Sequence, residues 1–250
     1  MNLIRKAAIM VAIAISAPAF AQSNSYQEIN SSNKWCKSYN RIGAGYTNTR
    51  LSSDKENEVL IVDGKNHFFQ HGFDIEYVHG FSLSKKLPMF IETGLRVDFG
   101  FGSQKIDPNR ISASTKILKM RMQNIYIAVP VNFAYKIGVS NNVALTPFVG
   151  IDLKMNLMTQ RKTIGVPDVI IGSDGIPVLD GNIVGNWESL YYTDHSYAFG
   201  DKYRYQVGWH VGVGVDIWRF YLGINYGTDF TKAFKEVNAS NLAVSVGFNL

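Results

Sequence analysis

The 250-residue sequence contains a single cysteine, seven prolines and few charged residues. One cysteine excludes an internal disulfide, and Cys36 lies too far along the chain to be a lipid-anchoring cysteine at a mature N-terminus. After residue 21, every apolar run is interrupted before it reaches the roughly 20 residues that a transmembrane helix requires. Only 18% of the residues are charged, against about a quarter in an average soluble domain. The apolar residues must therefore be buried by something other than helices.

The N-terminus has the three parts of a secretory signal peptide. Two basic residues precede a short apolar core at residues 7–17, and an AFA motif ending at Ala21 supplies the small residues that signal peptidase recognises. We predict a signal peptide over residues 1–21, cleaved after Ala21, and a flexible periplasmic arm over residues 22–37. Cleavage leaves 23 basic and 20 acidic residues, a net charge of +3, which is too small to favour nucleic acid as a partner.

Alternation of apolar and polar residues recurs eight times in the rest of the chain. Because successive side chains of a strand point to opposite faces, a period of two indicates a strand with one apolar and one polar face. The eight alternating segments are residues 39–50, 67–83, 89–102, 120–137, 143–158, 203–217, 220–230 and 242–250. The pattern therefore predicts an all-β chain.

The connections between these segments alternate in length. The second, fourth and sixth are tight turns at residues 84–88, 138–142 and 218–219, whereas the others are longer and polar. Outer membrane barrels have short periplasmic turns and longer extracellular loops in this alternation. We therefore predict that residues 38–250 form an eight-stranded antiparallel up-and-down transmembrane β-barrel. Both termini then lie on the tight-turn side, and a long outer loop covers about residues 159–202.

The polar face of the strands favours a membrane barrel over a soluble one. It carries glycines and charges of both signs, whereas water-exposed strand surfaces are poor in glycine. An eight-stranded barrel is only just wide enough for side chains to fill, and charges are tolerated there when they are paired. We predict a lumen plugged by paired charges. Its members are Arg41, Asp74, Glu76, Glu92, Arg96, Asp98, Lys136, Asp152, Lys154, Arg204 and Asp216.

Two adjacent strands and the C-terminus resemble a known family. IYIAVPVNFAYKI (125–137) and ALTPFVGIDLKMNL (144–157) are similar to paired strands of the outer-membrane β-barrel family often labelled PorT-like, from Gram-negative bacteria of the Bacteroidota type. This resemblance covers residues 38–250 and implies the cell outer membrane, contact with its lipid and no catalytic motif. NLAVSVGFNL (241–250) is similar to the signal read by barrel-assembly machinery, which implies that machinery as a partner during insertion.

The long loop at residues 159–202 is the main candidate for a binding site, because loops on a rigid scaffold often bind partners. Its aromatic and acidic stretch (186–203) suits an extracellular protein or glycan, and residues 169–171 and 178–179 predict a hairpin around SDG. A protective loop is the alternative. Five basic residues near the outer rim are candidates for contact with lipopolysaccharide phosphates, although a solvated rim also explains them. They are Lys154, Arg161, Lys162, Lys202 and Arg204.

Catalytic and metal sites have weak support. Residues 194–196 (DHS) are adjacent, and His67 and His71 lie near the same rim, but neighbours on an extended chain point apart and no nucleophile motif accompanies them. DGKNH and SDG lack the ligand spacing of a calcium loop. His210 fits the plug better than a metal site. We predict no enzyme activity, no cofactor and no metal.

The leading interpretation is therefore a structural or interaction scaffold that acts through its extracellular loops. A narrow transport or permeability element, or a secretion-associated barrel, is the alternative, and an enzyme at the outer rim has the least support. A lumen plugged by paired charges should pass little or no steady current.

Overall fold

A computed structural model describes eight ranges of the chain, and within them nearly all residues lie in antiparallel β-strands. The described ranges are residues 32–53, 67–105, 117–165, 169–171, 177–179, 185–189, 204–233 and 237–250. The predicted signal peptide and the first part of the predicted arm lie outside them.

The described ranges contain eight long strands, four short strands and one helical turn. The long strands are β1 (Tyr39–Ser53), β2 (His67–Ser82), β3 (Met89–Lys105), β4 (Ile117–Tyr135), β6 (Val143–Gly165), β10 (Tyr205–Ile217), β11 (Phe220–Asp229) and β12 (Val237–Asn249). The short elements are β5 (Ile137–Ser140), β7 (Val169–Ile171), β8 (Pro177–Leu179), β9 (Glu188–Ser189) and α1 (Ser32–Trp35).

The long strands close into a ring in the order β1, β2, β3, β4, β6, β10, β11 and β12, with β12 paired to β1. Every pairing in the ring is antiparallel. β5 continues the line of β4 along β6 after a break at Lys136 and adds no strand to the ring. Closure leaves the long strands no free edge along their paired lengths. The predicted eight-stranded antiparallel barrel is confirmed.

The two faces of the ring have opposite chemistry. Outward side chains such as Ile75, Leu95 and Val244 expose about half of their surface, whereas inward side chains are mostly polar and buried. This distribution inverts that of a soluble domain, because the apolar face meets the surroundings. Among the residues that the structure describes, no helix is long and apolar enough to cross a membrane.

The tight turns lie where the alternation predicted them. The turn at residues 218–219 contains Trp218 with a φ of 57°, a left-handed conformation that suits a two-residue hairpin. The turn before β6 is tighter than expected because Ile137–Ser140 belongs to β5. On the opposite side, β7 and β8 pair as an antiparallel hairpin, which confirms the predicted hairpin around SDG.

A β-bulge changes the outer part of β6. Ile125 of β4 is opposite Met158 and Tyr126 is opposite Asn156, which leaves Leu157 as an extra residue. The bulge reverses the alternation, so Thr159 points inward. β6 continues to Gly165, and the prediction of a loop from residue 159 was therefore wrong at its start.

Three strands project beyond the rest of the barrel on the long-loop side. β3, β4 and β6 contain 17, 19 and 23 residues, whereas about 9–11 residues cross a bilayer. We call residues 102–105, 117–122 and 159–165 the outer extension.

The residues before β1 pack against the tight-turn end. Lys34 Nζ donates a hydrogen bond to the Asn141 carbonyl oxygen at 2.6 Å, and the Trp35 ring occupies the space that a side chain on Gly138 would need. Cys36 is buried, and burial raises the pKa of its thiol. Residues 34–36, which the sequence assigned to a flexible arm, are therefore held against the barrel.

Candidate functional site

The lumen contains a connected set of buried polar side chains, here called the lumen network. Near the tight turns, Arg41 lies between two carboxylates, with its Nε 4.0 Å from Glu76 and its Nη1 3.6 Å from Glu92. The Arg41 guanidinium also lies 3.7 Å from the centre of the Tyr221 ring, and the Tyr39 hydroxyl donates to Glu92. Two anions and an aromatic face therefore replace the water that this cation loses on burial.

A second ion pair lies at the same end of the lumen. Lys136 Nζ is 3.2 Å from an Asp216 oxygen and 3.5 Å from the centre of the Tyr39 ring. Asp216 is fully buried and also accepts hydrogen bonds from Thr146 at 3.0 Å and Asn249 at 2.7 Å. Three donors therefore satisfy this carboxylate without water.

The centre of the lumen is organised around Asp152. One of its oxygens is 3.4 Å from Arg96 and 3.0 Å from His210 Nδ1. Arg96 Nε also donates to Asp98 at 3.0 Å. The other His210 nitrogen is 2.7 Å from the Asn132 side-chain oxygen. His210 is thus part of the network, which agrees with the interpretation of it as a plug residue.

Asn132 joins the centre to the tight-turn end, since its side-chain nitrogen donates to Glu92 at 3.1 Å. At the other end, Lys154 Nζ is 2.7 Å from Asp229. Asp229 was not among the plug residues predicted from the sequence. It lies eight residues after Tyr221 in β11, and an even separation along a strand places both side chains on the same face. The network therefore runs along most of the lumen.

Buried apolar clusters lie inside the ring at both ends of the network, and they were not predicted from the sequence. The tight-turn cluster consists of Tyr39, Phe90, Ala134 and Phe148. The long-loop cluster consists of Leu51, Phe68, Met120, Met122, Ala233, Val237 and Ala239. These residues occupy inward positions, so apolar residues on the polar face near strand ends were the available signal.

A cavity of about 40 Å³ lies beside the centre of the network, with Arg96, Asp152 and His210 among its lining residues. That volume holds roughly three water molecules. The cavity is bounded towards the long loops by Leu51, Ala233 and Ala239. The cavity therefore has room for a few water molecules beside the buried charges.

Glycines on the inner face create room for the network. A β-carbon on Gly45 would overlap the Asp74 carboxylate, and one on Gly100 would overlap the Asn124 side chain. Glycine is needed at these positions because neighbouring side chains cross the narrow lumen.

The structure places ten of the eleven predicted plug residues on the lumen side of the ring. The other, Arg204, is half-buried and lies one residue before β10. Asp74 differs from the expectation of paired charges. It is 3% exposed, lies directly opposite Asp98 across β2 and β3, and forms no salt bridge or hydrogen bond within the described ranges.

The five predicted rim residues do not form one surface. The lipopolysaccharide role of Lys154 is contradicted, because its side chain is 9% exposed and paired with Asp229 inside the lumen. Arg161 Nη2 is 3.4 Å from Glu188 of β9, on the inward side of the extension. Only Lys162 is placed on the outward side, and Lys202 lies outside the described residues.

Of the residues considered for rim catalysis, the structure describes His67 and His71. His71 Nδ1 is 2.5 Å from the Tyr46 hydroxyl, and the two rings stack. His67 contacts the Phe69 ring. Residues 194–196 lie outside the described ranges, within which no group of His, Cys, Asp and Glu is arranged to hold a metal.

A closed ring of eight strands, apolar outside and filled with polar side chains, defines the class of transmembrane β-barrels. The chain belongs to the outer membrane protein β-barrel domain family, whose model matches residues 20–237. Family membership indicates an outer membrane location. The finer resemblance to PorT-like proteins stays a prediction.

Several solved outer membrane barrels are similar to the chain. The attachment invasion locus protein Ail of Yersinia pestis is 13% identical with a TM-score of 0.38, over 86% of this chain and 99% of Ail. Neisserial surface protein A is 11% identical with a TM-score of 0.35, over 84% and 96%. The N-terminal barrel domain of Pseudomonas aeruginosa OprF is 11% identical with a TM-score of 0.31, over 85% and 100%. No curated protein matches the sequence.

Proposed function

We propose that the chain is a non-enzymatic outer membrane scaffold that presents its long-loop side to an extracellular protein or glycan and does not conduct ions. The closed lumen is the observation that carries this proposal. Most of its charges lie in ion pairs with each other, and apolar clusters lie at both ends of the network.

A permeating ion would have to displace these contacts. Buried pairs such as Lys136–Asp216 are costly to break, because separation leaves a charge without water or a partner. The apolar clusters add a region in which an ion finds no ligands. Both features favour a scaffold over the narrow transport element.

The long-loop side has structure suited to presentation. Glu188–Ser189 of β9 pair with β6, and the Gly185 amide donates to the Thr163 carbonyl at 3.0 Å. These contacts fix part of the long connection to the outer extension. A surface held by a rigid barrel loses less entropy on binding than a free loop does. The proposal includes export by the signal peptide and insertion by barrel-assembly machinery.

Conductance of the purified mature chain in planar bilayers tests the proposal. We expect no steady current above that of protein-free bilayers, because a permeating ion would have to break buried ion pairs and pass the apolar clusters. A heat-modifiable band on a gel of the same preparation verifies that the barrel is folded. Regular single-channel steps from the folded protein would overturn the closed-lumen proposal and support the transport alternative. A secretion-associated barrel is, with the narrow transport element, the alternative to this scaffold.

A further inference from the structure

Three cations lie together on the outward side of the outer extension. Arg121 and Lys162 are directly opposite each other across β4 and β6, so their side chains share a face of the sheet. The intervening residues Met120 and Met122 are buried in the lumen, which places Lys119 and Arg121 on the outside. We call Lys119, Arg121 and Lys162 the basic face.

The basic face has no anionic partner within the described ranges, where none of its three residues forms a salt bridge. Inward cations of the same region differ, since Lys154 pairs with Asp229 and Arg161 with Glu188. Like charges directly opposite in a ladder are destabilising. An external anion bound between Arg121 and Lys162 would offset this repulsion.

The basic face begins one polar row above the apolar belt. Gln123 and Gln160 form the next row towards the barrel, joined by a 2.8 Å hydrogen bond. Below them, Ile125 is opposite both Phe99 and Met158. Two residues along a strand span roughly 7 Å. Arg121 and Lys162 therefore lie two rows above Ile125, and Lys119 lies three rows above it, on the headgroup side of the apolar belt.

We propose that the basic face binds the phosphate groups of anionic lipid in the outer leaflet. The side chains project from the outer wall of the barrel at headgroup depth, where lipid is the nearest source of anions. Arg121 can hold a phosphate through two parallel hydrogen bonds, and the lysines add positive charge. This surface shares only Lys162 with the set predicted from the sequence. The inference rests on the proposed orientation, with the long loops at the cell surface.

Native mass spectrometry of the detergent-solubilised mature chain tests this assignment, with bisphosphorylated lipid A as the probe. The test variant is Lys119→Gln/Arg121→Gln/Lys162→Gln. The matched control is Lys85→Gln/Lys86→Gln/Arg219→Gln, which removes two lysines and one arginine from the exposed tight turns. We expect the test variant to bind lipid A at least about tenfold more weakly, and the control to bind as the unmodified chain does.

Two further probes separate the sources of phosphate. Dephosphorylated lipid A should bind the unmodified chain as weakly as lipid A binds the test variant. Inorganic phosphate, added at the same concentration as the lipid, should not displace lipid A from the unmodified chain. Equal binding by test and control variants, undiminished binding of the dephosphorylated lipid, or displacement by inorganic phosphate would each overturn the proposal. Heat-modifiable migration of both variants excludes unfolding as a cause. Conductance would contradict the scaffold proposal without changing these lipid measurements.

Discussion

Lys136 and Asp216 show what a buried charge requires in this lumen. Asp216 receives one cation and two neutral donors, and the Lys136 ammonium also lies over an aromatic ring. Either charge alone would remain buried without sufficient compensation. The energetic unit is therefore the pair rather than the residue.

Lys136→Met should destabilise the folded barrel by about 3–5 kcal/mol, because Asp216 then loses its cation. Lys136→Met/Asp216→Asn should be less destabilised than the single variant, since neither position then carries a buried charge that has lost its partner. Urea titration of the folded fraction in lipid vesicles, read from heat-modifiable migration, measures both. Lys85→Met in an exposed turn is the control, with an expected change within about 0.5 kcal/mol. A double variant as unstable as Lys136→Met would contradict the pairing argument.

Sequence position predicted which residues enter the lumen but not which residues meet there. Strand parity placed Asp152 and Lys154 on the polar face, because side-chain direction has a period of two. The contact of Lys154 with Asp229, 75 positions away, depends on the stagger of the strands around the ring. Alternation contains no information on that stagger. For the same reason it did not predict that Asp74 has no salt bridge or hydrogen bond within the described ranges.

The extent of each strand was predictable from its alternation of apolar and polar residues, except where a bulge shifts that alternation by one residue. The extra residue Leu157 in β6 shifts the following residues to the opposite face, and polar residues then follow on both sides. That pattern is typical of a loop, so residues 159–165 were assigned to one. The same bulge turns Arg161 inward and Lys162 outward, which separates two residues that the sequence placed in one rim.

The two faces of β2 give a direct test of the long-loop cluster. Phe68 is fully buried in that cluster, whereas its neighbour Phe69 faces outward and is 45% exposed. Phe68→Ala should cost about 3–5 kcal/mol, because it leaves a cavity among close-packed side chains. Phe69→Ala should cost less than half as much, since lipid can fill the space. The same urea titration compares them, and equal losses would show that Phe68 is not enclosed.

At the scale of the whole molecule, the placement of the two sides relative to the cell can be measured. A site for a specific protease inserted between β7 and β8 should be cleaved in intact cells, because the proposed orientation exposes that hairpin. The same site inserted into the tight turn at residues 84–88 is the matched control and should be cleaved only after the outer membrane is permeabilised. Cleavage of the turn site alone in intact cells would reverse the orientation and remove the basis for binding at the cell surface.

The ring itself was the most predictable property of the chain. Eight alternating segments and connections of alternating length require an even antiparallel sheet, and closure satisfies the edges that such a sheet would otherwise expose. The apolar clusters inside the ends were missed, because an apolar residue at a strand end fits either face. The architecture of the barrel was therefore more predictable from the sequence than the side-chain contacts inside it.

The pairing of β12 with β1 has a consequence for the order of assembly. Residues about 200 positions apart in sequence, such as Arg41 and Asn249, are direct neighbours in the ladder, and the Leu250 amide donates to the Asn40 carbonyl. The first strand of the barrel must therefore wait for the last one to be translocated. Until then the chain is an open sheet. Its two edge strands have unpaired backbone N–H and C=O groups, and its charged inner face is uncovered. Aggregation through those edges therefore competes with closure of the ring until β12 pairs with β1.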